Sequence, residues 1–368
     1  PGLAGPIARA NASLVDDPNR QQVMQASNDS ERRTFAVFGS IDYRPAERWA
    51  VRAEGRATRQ YLEVARSGVP SQRFTDTTPR FSLQYEPADD AMLYVSAAKG
   101  SRAGGINATT GLAPNEQTFA AEYNWTYELG GRIQRSQWSA DATIYYIDWQ
   151  DTQLPGFPLT PGINTLITRN TAGVTTAGIE LAFRAQLHER LGLRAAYSHA
   201  ASEFYAGSDD PGSGAFCGLK GANILSSFCR VGPSRSGNAP SGTYVPYIDD
   251  NALPRAPADQ WALTLQGDLT PGGADWRLTS SVDVGYQSDV YDRAINGAQF
   301  GERTLVSARV SWLRGPWMLE LWGSNLTDKQ YVRGVSSRGA PFYPVSPRPL
   351  DLVYGDGRRL GLTLRYAL

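Results

Sequence analysis

The sequence predicts an all-β protein, built as an antiparallel transmembrane β-barrel wall. Three observations lead there. Apolar and polar residues alternate with period two in thirteen segments, the connections alternate between short and long, and full charges sit in the middle of the polar faces. Side chains two apart share a face only in a strand, so the alternation excludes helices for these segments.

The segments run in order at 33–44, 47–61, 75–86, 90–100, 122–134, 137–149, 170–187, 190–204, 257–269, 275–288, 302–313, 316–331 and 358–368. The first sets Phe35, Val37, Ile41 and Tyr43 against Thr34, Ser40, Asp42 and Arg44. The second sets Trp49, Val51 and Ala53 against Arg52, Glu54 and Arg56. Trp125, Tyr127 and Leu129 oppose Glu128 and Arg132, and Ile179, Leu181 and Phe183 oppose Glu180 and Arg184. Trp261, Leu263 and Leu265 oppose Gln260, Thr264 and Gln266, and the last segment sets Leu360, Leu362 and Leu364 against Arg359, Thr363 and Arg365. Short turns such as Arg44–Glu47, Arg135-Ser136, His188-Glu189 and Arg314-Gly315 alternate with long connections near 62–74, 101–121, 150–169, 205–256, 289–301 and 332–357. Tight turns on one rim and long loops on the other are the pattern of membrane barrels.

Composition narrows the function classes. The 368 residues carry 36 Lys+Arg and 36 Asp+Glu, and this zero balance argues against nucleic acid as a partner, because a phosphate-binding surface needs positive excess. Mean hydropathy is −0.39, and no apolar run approaches the ~18 residues of a membrane helix. Barrel strands escape that test, since their alternation averages to mild hydrophilicity. Of the 36 basic residues, all but Lys99, Lys220 and Lys329 are Arg. Cys217 and Cys229 share a Gly/Ser/Pro-rich stretch; their spacing fits a loop disulfide and an oxidising compartment, with two thiols as the alternative. His188 and His199 are too few for a His-rich metal site, and no GxSxG-like element accompanies them, so neither a metal centre, a cofactor nor an enzyme is expected.

A soluble sandwich also alternates, but mid-strand charges such as Arg52-Glu54-Arg56 would then face a core, where unpaired charge is costly. A wet lumen accepts them. Trp49, Trp138, Trp261, Trp276 and Trp317 are read as one interfacial girdle beside the short turns. Counting back from a last strand that ends in the periplasm places the long loops outside the cell. Residues 1–32 are then the end of an extracellular loop, and 33–368 the barrel portion. Single-chain bacterial barrels have even strand numbers, so thirteen strands suggest the C-terminal part of a larger one.

Six stretches, in order, resemble TonB-dependent outer-membrane receptors. They are Lys99–Asn107, Asn115-Glu116 with Tyr127–Gly130, Tyr146–Asp151, Asn170–Gly173 with Gly178–Glu180, Leu253–Pro257, and Asn325–Tyr331. Ser101 stands where that family's first motif has an aromatic, and Leu368 where its last strand ends in Phe. The resemblance implies a 22-stranded barrel occluded by a plug, of which these would be the last thirteen strands, in the outer membrane of a Gram-negative bacterium. It implies import of a scarce solute, most often a ferric siderophore or other iron complex, driven by the TonB system through the plug. The expected partners are that plug and N-terminal barrel portion, outer-membrane lipid, and the iron chelate. Uptake of cobalamin or a saccharide, or a passive porin or adhesin barrel, are the alternatives.

An anionic chelate calls for Arg, whose charge is permanent and whose fork is bidentate, and for aromatics that stack. The loop candidates are Arg102, Arg169, Arg230, Arg235, Arg255, Arg293, Tyr244 and Tyr247. Arg52, Glu54, Arg56, Glu128, Arg132, Glu180 and Arg184 are expected to face the lumen or the plug.

Overall fold

The computed structural model describes residues 30–65, 68–156, 158, 160, 162, 163, 165–170, 173–209, 229–231, 244–296, 299–336 and 351–367. Thirteen long strands form one antiparallel sheet in chain order. They are β1 (Ser30–Ala46), β2 (Trp49–Val64), β3 (Gln72–Ala88), β4 (Ala91–Arg102), β5 (Glu122–Gln134), β6 (Trp138–Gln150) and β7 (Gly173–His188). The rest are β8 (Leu191–Phe204), β9 (Asp259–Asp268), β10 (Arg277–Gln287), β11 (Arg303–Arg314), β12 (Trp317–Ser324) and β13 (Arg359–Tyr366). Each segment read from the alternation coincides with one of these strands. Among the described residues five two-stranded hairpins decorate the long connections. Among the described residues no helix is long and apolar enough to cross a membrane.

Most segment ends shift by one to three residues, and two differences change the reading. Segment 316–331 stops as a strand at Ser324, because Asn325 and Asp328 adopt φ of 48° and 52°. That left-handed conformation ends a strand, and Asn and Asp tolerate it best. The connection expected at 62–74 contracts to 65–71, shorter than the turn at 269–276, so the alternation of short and long is not strict.

Directly opposed residues in an antiparallel pair share a face, so the register carries one polar face across the sheet. Arg52 lies opposite Asp42 and Ser82, and Glu128 opposite Ser96 and Tyr145. The other face is apolar and bare: Phe35 is 71% exposed, Ile144 52%, Leu321 57% and Leu364 62%. An apolar face of that extent needs lipid as its solvent, and the fold is that of an antiparallel membrane β-barrel. The buried apolar cluster is small and lies at the long-connection ends, around Val174, Phe204, Ile248, Ala294 and Ile295.

The aromatics form two girdles, which corrects the placement of Trp261. Trp49 stacks on Tyr85 at 4.5 Å between ring centres, and Trp317 sits 4.7 Å from Tyr366, both beside short turns. Trp261 begins β9 at the opposite rim and stacks on Tyr286 at 5.9 Å, and Trp125 near the start of β5 sits 6.2 Å from Tyr127. The sense of each strand decides this: β9 enters from a long connection, so its first residues lie at the loop rim. Two amphipathic belts are what two membrane interfaces require.

On the polar face, rings cover glycines. Tyr94 lies over Gly130, where a Cβ would meet its Cε1 at 2.5 Å, and its hydroxyl hydrogen-bonds Thr143 at 3.1 Å. Trp322 lies likewise over Gly361, and its Nε1 donates to Thr363 at 3.3 Å. The ring restores contact that a bare glycine strand lacks.

Candidate functional site

The long connections are stitched into a layer at one rim of the sheet. Asn107 donates its amide to the carbonyls of Glu116 and Thr168, both at 2.9 Å, and accepts from the Thr168 amide at 3.0 Å. Asn170 accepts from the Ala120 amide at 2.7 Å and donates to the carbonyls of Ala120 at 3.1 Å and Asp151 at 2.7 Å. Gln153 donates to the carbonyls of Ala103 at 3.0 Å and Ala120 at 2.9 Å, while its own amide donates to the Glu122 carboxylate. The buried Glu116 accepts from the Thr160 amide at 3.1 Å and hydroxyl at 2.6 Å. These bonds satisfy buried polar groups, as burial demands, and they tie the connection after β4 to the one after β6.

The next group rests on apolar packing. Phe204 at the end of β8 and Val174 at the start of β7 meet Ile248, Ala294 and Ile295, with Trp149, Leu154 and Leu253 against them. Asn251 donates to the Ala294 carbonyl at 2.8 Å, and Asn296 accepts from the Ala252 amide at 2.8 Å and donates to its carbonyl at 2.9 Å. Leu154 joins this group to the first. At the last connection Asn325 donates to the carbonyls of Lys329 and Asp356, each at 3.0 Å, and accepts from the Lys329 amide at 2.9 Å. Asp328 accepts from the Arg358 amide at 2.9 Å, and the Arg303 guanidinium lies 5.0 Å from the centre of the Tyr331 ring.

The motif residues are therefore mostly stitches. Lys99 pairs with Asp76 at 3.6 Å and lies 5.0 Å from the centre of the Tyr123 ring, and Ser101 hydrogen-bonds the same Asp76. Gln153, Asn251 and Asn296 escaped the sequence reading, since a lone polar residue in a long connection has no periodic signal, and Glu122 did so at the very start of its strand.

The loop candidates take different positions. Arg102 ends β4 with its side chain 67% exposed, 3.4 Å from Glu122. Arg169 is buried in the hairpin of Gln153–Gly156 and Ile167–Asn170. Arg255 is exposed with φ of 59°, and its amide donates to the Tyr291 carbonyl at 2.9 Å; Arg293, two residues beyond Tyr291, pairs with Asp292 at 3.2 Å. Tyr247 is half-buried in a β-bridge to Asp209. Arg230 and Tyr244 lie in a hairpin, Arg230 opposite Val245 and Tyr244 opposite Val231. Arg235 and Cys217 lie outside the described residues, as do the side chains of Arg230, Tyr244 and Cys229.

Arg52, Glu54, Arg56, Glu128, Arg132, Glu180 and Arg184 all share the polar face. Arg52 pairs with Asp42, Arg132 with Asp141, and Arg80 approaches Glu54 at 3.9 Å. Arg56 donates to Thr58 at 3.1 Å, and Glu128 accepts from Ser96 at 3.2 Å. Exposed pairs of this kind contribute only ~0–1 kcal/mol each, so their effect is to keep the face wet and charged rather than to hold the sheet. Beside the short turns the same face carries a recess of about 470 Å³, lined in part by Arg190, Asp268, Arg277, Arg309 and Glu320. Arg277 meets Asp268 at 3.1 Å there, and Arg309 meets Glu320 at 3.4 Å.

Comparison with known proteins agrees with this architecture. The pesticin receptor of Yersinia enterocolitica is 29% identical over 105 residues, 28% of this chain and 15% of that receptor. The crystal structure of the ferric yersiniabactin uptake receptor FyuA from Yersinia pestis superposes on 92% of this chain and 46% of its own, with a TM-score of 0.67 and 16% identity. The siderophore receptor PiuA from Acinetobacter baumannii gives 0.67 at 15% identity over 92% of this chain and 44% of its own. The copper transporter OprC gives 0.65 at 16% identity over 92% of this chain and 50% of its own. At such identities these likenesses show the fold, and the chain spans half or less of each relative. The sequence model for the TonB dependent receptor-like β-barrel matches residues 7–326, and the chain belongs to that family.

Proposed function

We propose that residues 33–368 form the C-terminal wall and outer loops of a TonB-dependent receptor that imports a ferric siderophore or other iron complex across a Gram-negative outer membrane. The observation that carries this is the stitched loop layer, which presents Arg102, Arg255 and Arg293 at one rim of a sheet with a charged, hydrated face. Guanidinium groups carried on loops that are already held bind a polyanionic chelate at a reduced cost in backbone ordering. Residues 1–32 would end a preceding outer loop, the last three of them already paired in β1.

The sheet supports a partnership within the receptor. Among the described residues β1 and β13 each pair on one side only, and unpaired backbone groups are untenable in hydrocarbon. An N-terminal barrel portion closing 22 strands would satisfy both edges. A plug would dock on the charged face and its recess, and energy from the TonB system would reach the transport path through that plug. No enzyme activity is part of this reading. The named neighbours include siderophore receptors and one copper transporter, so copper uptake is the second reading.

Growth of the source bacterium under iron limitation tests the proposal. Uptake of iron-55 supplied as chelates of several chemical classes should fall at least tenfold for one class on deletion of the gene, and return with it. Unchanged iron uptake, with copper-64 uptake lost instead, selects the second reading. Replacing Arg102, Arg255 and Arg293 together by Gln should raise the half-saturating chelate concentration while leaving the receptor in the outer membrane.

A further inference from the structure

Among the described residues the loop layer holds four buried side-chain oxygens with nothing to bind, Gln153 Oε1 and three that lie together on Ser208 and Asp209. Ser208 and Asp209 are both 0% exposed. The Ser208 hydroxyl oxygen and both carboxylate oxygens of Asp209 lack any hydrogen-bond partner. The backbone around them is satisfied: the Ser208 amide donates to the Tyr205 carbonyl at 2.9 Å, and its carbonyl accepts from Ile248 at 2.9 Å. Asp209 lies opposite Tyr247 in a β-bridge, next to the apolar cluster of Phe204 and Ile248. An unpaired carboxylate in such a place is among the costliest arrangements a protein can hold, and it calls for a cation.

We propose that Ser208 and Asp209 form a calcium site that fastens the connection after β8 to the outer layer. The donor set points to calcium. Among the described residues no three His, Cys, Asp or Glu side chains converge to hold a metal. Neither Ser208 nor Asp209 offers a nitrogen or sulfur ligand, so the pair suits zinc or copper poorly. A carboxylate and a hydroxyl are hard oxygen donors, which calcium accepts in flexible geometry with water filling the remainder. Magnesium demands near-ideal octahedral geometry, which an irregular donor set disfavours. The affinity expected for a site with one carboxylate is that of extracellular modules, a dissociation constant of about 10⁻⁴–10⁻³ M. This inference does not depend on what the receptor imports.

The test uses the purified full receptor in detergent, stripped with chelator and titrated with Tb³⁺, whose emission is sensitised by nearby Tyr205 and Tyr247. The expected result is saturable emission that Ca²⁺ displaces and equal Mg²⁺ does not. Asp209→Asn should weaken Tb³⁺ binding at least tenfold, and Ser208→Ala by a few fold. Each variant is first checked for the heat-dependent gel shift of a folded barrel. If Asp209→Asn loses that shift, Ser208→Ala decides alone, and an unchanged affinity there overturns the site. Absence of saturable emission in the unaltered protein overturns it too, as does emission that survives Asp209→Asn at full affinity.

Discussion

Asn107 shows how one polar side chain can organise an outer loop. Its amide makes three bonds across 61 residues of sequence, from Asn107 to Thr168. Replacing it with Ala would strand carbonyls and an amide in a buried place, each at about 1–3 kcal/mol. The expected outcome for Asn107→Ala is faster protease cleavage within 103–121 and 151–170, with the barrel's thermal midpoint unchanged; equal protection in both proteins would refute it. Gly130 makes the opposite demand, for absence of a side chain. A Cβ at that position would sit 2.5 Å from the Tyr94 ring, so Gly130→Ala forces Tyr94 off its Thr143 bond or bends the strand. Overpacking of this kind costs typically 1–3 kcal/mol, read as a lower midpoint for the heat-dependent gel shift. A Tyr94→Ala, Gly130→Ala double variant should recover part of the loss.

At the scale of the strand, the two faces obey different solvents. Leu263 in β9 is 40% exposed on the apolar face, between Trp261 and Leu265. A charge at that level meets hydrocarbon, so Leu263→Arg is expected to destabilise the folded barrel by about 2–4 kcal/mol. Gln266→Arg, one strand face over and beside Asp268, should change stability by less than about 1 kcal/mol. Urea titration of the protein in lipid vesicles measures both, and equal penalties would mean that the faces are misassigned. The two girdles belong to this scale as well. Trp261 stands at the loop rim because β9 runs inward, a fact of strand sense that a residue's proximity to other tryptophans does not convey.

For the molecule as a whole, the decisive feature is the pair of sheet edges. Among the described residues, β1 offers 17 residues and β13 eight with one side of their backbone unpaired. Residues 1–368 refolded alone into vesicles should therefore self-associate through these edges, or fail to show a heat-dependent gel shift. Addition of the N-terminal portion of the same receptor should restore one folded species. A folded monomer from residues 1–368 alone would remove the 22-strand proposal.

Taken alone, the sequence determined the strands, their number, their order and which face of each is apolar. Period two is a local property, visible in Phe35 to Tyr43 or Leu360 to Leu364 without knowledge of anything distant. It also determined family membership through motifs such as Asn325–Tyr331, although it did not disclose what they do. Tertiary structure alone decided that Asn325 ends a strand rather than continuing one, because the carbonyls it serves come from Lys329 and Asp356. Tertiary structure likewise buried Arg169, which sequence treats like any loop arginine, and left Asp209 dry and unpaired. Periodicity reports the solvent on each side of a strand, whereas a hydrogen bond across sixty residues leaves no periodic trace.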